Sequence, residues 1–339
     1  MALSPEPGIT RECIAALLEK MAVRRIAVLG DAMLDVYVSG DADQISPEAP
    51  IPVVTVRTRR QVLGGAANVA ANVAAIGAEC RLVAVVGDDP GGDLLRTELA
   101  FNRLSSQYLI VAKGRLTTLK TRVTARGQQV VRIDEEVDDP IPPEIEEQVR
   151  ARLRDAVADA DALLVEDYNK GTLTLVVIEL AMAIAREHHL PVIVDPKFKN
   201  FYAYRGATVF KPNRQELEQA AGAALDLTEP QALPETREKL GVENLLLTLG
   251  RDGMVLVTKD GHLWRIPAIA REVFDVSGAG DTVTAWVGTA LAAGASVREA
   301  AHLATYAAGV EVGKSGVATV LPAEVLRAHQ SSHGPFREL

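Results

Sequence analysis

One short segment near the C-terminal end combines small residues with a carboxylate, in the sequence DVSGAGDT at 275–282. A strand at 271–274 is expected to end just before it, and a helix to begin within Gly278-Ala279-Gly280, which would leave bare backbone N–H groups at a helix N-terminus. Such groups bind phosphate. Asp281 would be placed to take a proton from an attacking hydroxyl group. The segment is therefore a candidate site of phosphoryl transfer, unless Asp281 only caps the helix.

Two segments are candidates for the nucleotide side of such a site. Asn213 and Glu216 have the N-x-x-E spacing of a helix capping box, and they would alternatively lie near nucleotide phosphates and reach Mg²⁺ through water. The run AGVEVGKS at 308–315 nearly matches a phosphate-binding loop, but it follows a predicted helix where that loop follows a strand. We interpret it as a helix end capped by Gly313.

A glycine pair and an aspartate are candidates for binding a sugar. Gly64 and Gly65 open an alanine-rich helix that contains Asn68. This turn either only begins the helix, or offers its bare backbone and Asn68 to sugar hydroxyl groups. Asp35, after the first predicted strand, is a candidate acceptor for two such hydroxyls.

Basic residues gather in the segment TTLKTRVTARGQQVVRID at 117–134, which is predicted to form a polar-faced hairpin. Most charged strand residues face water, but several cations on one flap would suit a phosphate carried by the substrate. Lys170 and Lys197 follow predicted strands, where α/β proteins bind ligands. The hairpin candidates are Lys120, Arg122, Arg126 and Arg132.

The order of the predicted elements indicates the fold class. Short apolar strands such as Arg25–Leu29 and Ala162–Val165 alternate with helical segments through most of the chain. This alternation predicts an α/β fold, with a mostly parallel central sheet and helices on both faces. Polar-faced strands at about 36–62 and 115–134 are predicted to form a small β-sheet lid. No linker separates these parts, so 1–339 is predicted to be a single domain.

Charge and hydropathy exclude some classes of partner. The 339-residue chain has a net charge of -9 at pH 7 and no stripe of Lys and Arg, so it lacks the electrostatic footprint of a nucleic-acid binder. Residues 1–10 lack the basic and apolar regions of a signal peptide, and no apolar stretch approaches the ~20 residues that span a membrane. We expect a cytoplasmic protein with no nucleic acid and no membrane among its partners.

Together the motifs resemble those of the ribokinase-like (PfkB) family of carbohydrate kinases. GGAAN at 64–68 and DVSGAGD at 275–281 are similar to the two signature regions of that family. KPNRQE at 211–216 is similar to its N-x-x-E region, and LTLGRDG at 247–253 to its nucleotide-side strand and turn. The resemblance covers about residues 24–322. It implies a ribokinase-like fold and a sugar kinase that uses ATP and Mg²⁺.

The resemblance also implies roles for individual residues. Asp281 matches the general base, and Gly278, Ala279 and Gly280 match the anion hole. Asp275 matches a position that binds a monovalent cation such as K⁺ in several relatives. Family members often dimerise through the β lid, so a homodimer is implied. The implied sugar contacts are Asp35, Gly64, Gly65 and Asn68, and the implied nucleotide residues are Asn213, Glu216, Thr248 and Gly250, with Glu216 reaching Mg²⁺ through water.

Longer segments look like one branch of the family, whose members phosphorylate the anomeric hydroxyl of D-glycero-β-D-manno-heptose 7-phosphate on the route to ADP-heptose and lipopolysaccharide. They include 119–134, VEDYNKG at 165–171 and 195–213. Some members carry a C-terminal nucleotidyltransferase; the sequence has no H-x-G-H motif, so the kinase-only form is expected.

Other functions stay open at this point. The nearest alternative is a family kinase of ribose, fructose phosphate or a nucleoside. The cation-bearing flap discriminates between substrates, because an unphosphorylated sugar has no use for it. A non-catalytic sugar-sensing protein on this fold is a second alternative. An NAD-dependent enzyme would need a G-x-G-x-x-G run after a strand, and the sequence has none.

Overall fold

A computed structural model describes residues 9–227, 229, 231–269 and 273–332. Within these ranges the chain forms two β-sheets and ten α-helices. The strands are β1 (Arg25–Gly30), β2 (Ala32–Ile45), β3 (Pro52–Gly65), β4 (Glu79–Gly87), β5 (Leu109–Ala112), β6 (Thr118–Ala125), β7 (Gln128–Glu135), β8 (Ala162–Glu166), β9 (Val192–Asp195), β10 (Val209–Phe210), β11 (Asn244–Thr248), β12 (Met254–Val257) and β13 (Leu263–Ile266). The helices are α1 (Arg11–Met21), α2 (Ala66–Ile76), α3 (Pro90–Phe101), α4 (Pro143–Val157), α5 (Leu175–Glu187), α6 (Arg214–Ala221), α7 (Ala232–Leu240), α8 (Ala279–Ala292), α9 (Val297–Glu311) and α10 (Pro322–Ser332).

The large sheet has the strand order β13-β12-β11-β10-β9-β8-β1-β4-β5. The strands from β11 to β5 pair in parallel, and β12 and β13 add an antiparallel edge. One apolar core packs α1, α2, α3, α8, α9 and α10 on one face, and a second packs α4 to α7 on the other. The predicted α/β architecture, with a mostly parallel sheet between two helical layers, is therefore confirmed.

Strand β1 shows why the central strands are apolar throughout. Val28 packs into the core on one face of the sheet, while Ala27 and Leu29 pack into the core on the other. A parallel strand covered by helices on both faces must be apolar at successive positions. On one of these faces α8 packs against β8, and it can come close because Gly288 has no side chain: a Cβ there would lie 2.1 Å from a methyl carbon of Leu164. This approach brings the N-terminus of α8 over the carboxyl ends of the central strands.

The small sheet has the order β3-β2-β6-β7, with β2 and β6 parallel and the outer pairs antiparallel. It confirms a separate small sheet, but its bounds are wider than the predicted 36–62. Strand β2 begins at Ala32, immediately after β1, because Ala32 pairs with Gly65 at the end of β3. Every residue of β7 is exposed, so this sheet is poorly covered on that side.

The C-terminal part corrects three expectations. Helix α10 was not predicted, although Pro322 at its first turn is a common helix start. Of the strand expected at 271–274, residues 271 and 272 lie outside the described residues, and residues 273 and 274 are not in a strand. Gly313 does not cap α9: the helix ends at Glu311, and the left-handed glycine of this segment is Gly316, with φ 69°. None of the helices in the described ranges has the length and hydropathy of a membrane span.

Candidate active site

The carboxylate of Asp281 stands at the N-terminus of α8, as the third residue of the helix. Gly278 precedes the helix with φ 91°, a conformation that favours glycine, and no side chain caps the first turn. The interpretation of Asp281 as a simple helix cap is therefore wrong. The uncapped N–H groups of the turn and the positive end of the helix dipole make this a place that favours an anion.

Two donors hold the Asp281 carboxylate, which is 3% exposed. Asn68 Nδ2 donates to Oδ2 and the Tyr168 hydroxyl donates to Oδ1, each at 2.8 Å. Burial raises the pKa of Asp281 to about 6, against the opposing effect of the hydrogen bonds from Asn68 and Tyr168. At neutral pH the group is therefore mostly ionised and can still accept a proton, as a general base must.

The positions of both donors are themselves fixed by hydrogen bonds. Asn72, one turn further along α2, donates through Nδ2 to the backbone oxygen and Oδ1 of Asn68 at 3.1 and 3.2 Å. Tyr168 follows β8, and its backbone N–H donates to Asp31 Oδ2 at 2.9 Å. The amide of Asn68 lies against the carboxylate of Asp281 and orients that group, while the predicted contact of Asn68 with the sugar stays a prediction.

A cleft of about 420 Å³ opens beside the turn and joins it to the predicted nucleotide residues. Apolar side chains line one part of it, and charged ones the other. Sequence reasoning missed the apolar residues, whose types are unremarkable in a sequence. The cleft is lined by Asn213, Glu216, Thr248, Gly250 and residues 278–281, and on its apolar part by Met254, Ala268, Ile269, Ala308 and Val312. The segment rejected as a phosphate loop therefore contributes to the cleft through the last turns of α9.

Asn213 and Glu216 form a capping box, which confirms the first interpretation of the N-x-x-E spacing. Both residues also line the cleft, and their place near nucleotide phosphates and Mg²⁺ stays a prediction. Asn213 Oδ1 accepts from the Glu216 backbone N–H, and Glu216 Oε2 accepts from the Asn213 backbone N–H, each at 2.8 Å. The other carboxylate oxygen of Glu216 pairs with Lys197. Lys197, predicted as a substrate contact, thus lines the same cleft as Glu216.

Further charged residues at the strand ends were not predicted. Lys211 Nζ lies 2.7 Å from Asp195 Oδ2, and both residues line the cleft. Although burial alone would lower it, the carboxylates of Asp195 and Glu166 raise the pKa of Lys211, so the ammonium stays charged. Carboxylate oxygens of Glu166, Asp195 and Asp281 lie within 4.8 Å of one another, an oxygen-donor set of the kind that divalent cations take. Glu166 and Asp195 are the last residues of the parallel strands β8 and β9, and this position could have identified them as site candidates from the sequence.

The predicted cations of the lid are paired with carboxylates. Arg122 forms an ion pair with Asp35, which is 5% exposed. Lys120 Nζ and Lys170 Nζ each lie 2.8 Å from an oxygen of Glu136, so these two cations converge. Arg132 and Arg126 are also paired, with Asp134 and Asp43 respectively. They differ from the other lid cations in that their side chains are largely exposed. Gly64 lies against Asp35: a Cβ there would be 2.6 Å from Asp35 Oδ2.

Asp275 lies on the other side of the turn. Its Oδ1 accepts from the Ser277 backbone N–H at 2.9 Å, which shapes the approach to Gly278. The carboxylate of Glu311, 1% exposed, lies close by, and burial together with Asp281 and Asp275 raises its pKa to about 8. A monovalent cation at Asp275 stays a prediction.

Comparison with known proteins decides the family. The pattern of the pfkB family carbohydrate kinases matches residues 23–324. The chain belongs to this family. It is 42% identical to the bifunctional protein HldE of Rhodospirillum rubrum over 97% of its own length and 66% of that protein, and 42% identical to HldE of Pelobacter propionicus over 95% and 67%. The chain thus spans about two thirds of the length of these curated relatives.

Solved structures confirm the ribokinase-like fold. Arabidopsis thaliana ribokinase complexed with ribose and ATP matches with a TM-score of 0.71 and 22% identity, over 90% of this chain and 98% of that one. Escherichia coli phosphofructokinase-2 in complex with potassium matches with a TM-score of 0.73 and 18% identity, over 91% and 99%. With the family established, the protein is a carbohydrate kinase.

We expect Tyr168→Phe to shift the pH dependence of this kinase. The hydroxyl of Tyr168 stabilises the ionised form of Asp281, so its removal raises the pKa of that carboxylate, which is then protonated at a higher pH. As pH falls, kcat/KM should begin to decline about one to two pH units earlier than in the wild type, the shift expected for one hydrogen bond to a charged group.

The matched control is Tyr204→Phe, which removes a second phenol hydroxyl, one that donates to Asp167 Oδ2 at 2.7 Å. Its pH profile of kcat/KM should follow the wild type. Identical profiles for Tyr168→Phe and the wild type would show that the phenol does not act on Asp281.

Proposed function

We propose that the protein transfers the γ-phosphoryl group of Mg·ATP to the anomeric hydroxyl of D-glycero-β-D-manno-heptose 7-phosphate, giving the 1,7-bisphosphate for ADP-heptose and lipopolysaccharide biosynthesis. The observation that carries it is the buried carboxylate of Asp281 at the start of α8, which no side chain caps, beside a cleft of about 420 Å³. The likeness to HldE proteins and the cations of the lid favour the heptose phosphate among sugars.

Asp281 removes the proton of the anomeric hydroxyl in this proposal. One oxygen of the carboxylate takes the proton while Asn68 and Tyr168 keep the group oriented. The hydroxyl oxygen then attacks the γ-phosphorus, the bond to the ADP oxygen breaks, and the backbone N–H groups of Gly278-Ala279-Gly280 stabilise the charge on the transferred group. Lys211, buried and charged beside Gly280, adds a fixed positive charge.

ATP and its metal fit the residues of the cleft. The apolar side chains suit an adenine ring, and the charged end with Lys197, Lys211 and Glu216 suits phosphates. Mg²⁺ bound to the nucleotide neutralises phosphate charge and orients the γ-phosphoryl group. Glu216 would hold that ion through water, with Asn213 near the phosphates, and Asp275 would hold a monovalent cation such as K⁺.

The lid binds the sugar end of the substrate in this proposal. Asp35, with Gly64 and Gly65, accepts sugar hydroxyls, while Lys120, Arg122 and Lys170 turn from their carboxylate partners to the 7-phosphate; Arg132 lies further out. The lid already reaches the active-site side of the large sheet, since Arg60 donates to the backbone oxygen of Ser315 at 3.0 Å. We infer that both sheets belong to one kinase domain and that the lid excludes water when the sugar is bound.

A panel of sugars tests the proposed reaction. With Mg·ATP, ADP release should be fastest with heptose 7-phosphate and slower with ribose, fructose 6-phosphate and nucleosides. Asp281→Asn should still bind ATP and sugar by calorimetry but turn over at least ~100-fold more slowly, the scale of general-base catalysis. Near-normal turnover of this variant would refute the role of Asp281, and a faster rate with another sugar would replace the substrate.

Arg122→Ala tests how the 7-phosphate is bound. Loss of a charged hydrogen bond of about 1.5–3 kcal/mol should raise KM for heptose 7-phosphate by about 10- to 100-fold, with little change in kcat. The unphosphorylated heptose should show a much smaller change, which separates the phosphate contact from the lost support of Asp35. Arg126→Ala, a lid cation with a 69% exposed side chain, is the matched control. An unchanged KM in Arg122→Ala would exclude the contact.

We further propose a homodimer formed through the lid. The sheet exposes large apolar side chains that one chain leaves uncovered: Val56 is 55% exposed, Val131 46% and Ile133 50%. The double change Val131→Asp/Ile133→Asp should convert the dimer into a monomer in size-exclusion chromatography with light scattering. Val111→Asp, on the edge of the large sheet and 42% exposed, should leave the dimer intact. A monomeric wild type would contradict this proposal.

A further inference from the structure

Two lid residues contact the main body at a distance from the point where the lid joins it. The Tyr37 hydroxyl accepts from the Val317 backbone N–H at 3.4 Å, and Arg60 Nη2 donates to the Ser315 backbone oxygen at 3.0 Å. These partners lie 280 and 255 residues away along the chain, in the segment after α9. Tyr37 and Arg60 are each five residues from the strand ends that join the main body, which is roughly 16 Å along a strand. They therefore give the lid a second point of attachment.

The two side chains form one unit with the glycine that lies between their partners. Tyr37 and Arg60 are paired across β2 and β3, and the guanidinium of Arg60 lies 5.3 Å from the centre of the Tyr37 ring, a cation–π distance. Gly316 is buried against them with φ 69°. A Cβ there would lie 2.6 Å from Arg60 Nη2 and 3.2 Å from Tyr37 Cζ, so glycine allows this close approach. We refer to Tyr37, Arg60 and residues 315–317 as the latch.

The segment that carries the latch lies directly against the turn that begins α8. A Cβ at Gly278 would lie 3.1 Å from Cγ1 of Val317, whose side chain is buried. Just before the turn, the Phe274 backbone N–H donates to the Val312 backbone oxygen at 2.7 Å. Residues 312–317 thus contact the turn at both of its ends. The position of this segment therefore affects the backbone N–H groups that are proposed to hold the transferred phosphoryl group.

We propose that Tyr37 and Arg60 are positioning residues that couple the lid to the anion hole through residues 315–317. The proposal rests on the proposed role of Gly278-Ala279-Gly280 in phosphoryl transfer. Arg122 and Lys120 pair with carboxylates, whereas Arg60 uses its charge on a backbone oxygen of the main body. Formation of the latch fixes the anion hole only when the lid covers the sugar, so ATP is protected from water while the site is open.

Steady-state kinetics of Arg60→Ala test this coupling, with whichever sugar of the panel gives the fastest ADP release. We expect kcat to fall by about 5- to 10-fold, the effect of one hydrogen bond from a charged group at the surface. The Kd for ADP should stay at the wild-type value, because ADP lacks the γ-phosphoryl group that the anion hole holds. Arg60→Lys keeps a positively charged donor and should recover part of the lost kcat.

The matched control is Arg59→Ala. Arg59 is an exposed arginine of the same strand, and its side chain lies on the opposite face of β3 because side chains alternate along a strand. Its kcat should equal that of the wild type, and an equal loss in both variants would assign the effect to the charge of the lid and contradict the latch. Thermal unfolding and light scattering check that both variants keep the fold and the oligomeric state.

Hydrogen–deuterium exchange of the full chain without ligands gives a readout that needs no activity. In Arg60→Ala and in Tyr37→Phe, peptides covering 312–317 and 274–280 should exchange about 5-fold faster than in the wild type, the scale of one lost hydrogen bond. Peptides from β1 should exchange as in the wild type, because that strand lies in the centre of the large sheet.

Two further results would overturn the proposal. An unchanged kcat in Arg60→Ala, with or without a raised KM for the sugar, would show that Arg60 at most contacts the substrate. Faster exchange confined to 312–317 would show that the latch does not reach the anion hole. The exchange measurement contains no ATP or sugar, so failure of the latch is distinguishable from failure of the proposed reaction, which would appear as absent ADP release by the wild type.

Discussion

The site depends on how one buried carboxylate is held. An ionised Asp281 out of water carries a large desolvation cost, and the structure offsets it with donors from elements far apart in the chain. Asn68 comes from α2 and Tyr168 from the loop after β8. The positive end of α8 favours the same charge. Because each contribution belongs to a different element, the carboxylate is oriented only while these helices and the large sheet stay packed together.

A second layer of contacts transmits this constraint to the backbone. Asp31, at the end of β1, accepts from the backbone N–H groups of Tyr168 and Lys170, each at 2.9 Å, and so fixes the loop that presents the phenol. Gly65, with φ 54°, passes so close to Asp31 that a Cβ would lie 2.5 Å from its backbone oxygen. The predicted sugar-side glycine therefore also has a structural task, which is to bring α2 and Asn68 to the active site.

How much of the structure could be predicted from the sequence depends on how far apart along the chain the interacting residues lie. The alternation of strands and helices and the turn at 278–280 act through neighbouring residues, so the sequence was enough to predict them. The partners of Asp281 were not predictable as partners, because Asn68 and Tyr168 are separated from it by 213 and 113 residues. Their meeting depends on strand order, which no local pattern specifies. For the same reason the lid cations were found by type, while the carboxylates that neutralise them, such as Glu136, were not.

The balance of charge at the phosphate end of the cleft bears on how the nucleotide must arrive. A kinase cleft receives a polyanion, yet both lysines here are already matched: Lys211 pairs with Asp195, and Lys197 with Glu216. An ATP molecule without metal would meet these carboxylates with both lysines already paired, although the N–H groups of α8 and the guanidinium of Arg251, which also lines the cleft, would favour it. A nucleotide that brings a divalent cation meets the opposite balance, since each carboxylate then faces positive charge. The proposed use of Mg·ATP is therefore supported by the pairing of these lysines as well as by the chemistry of ATP.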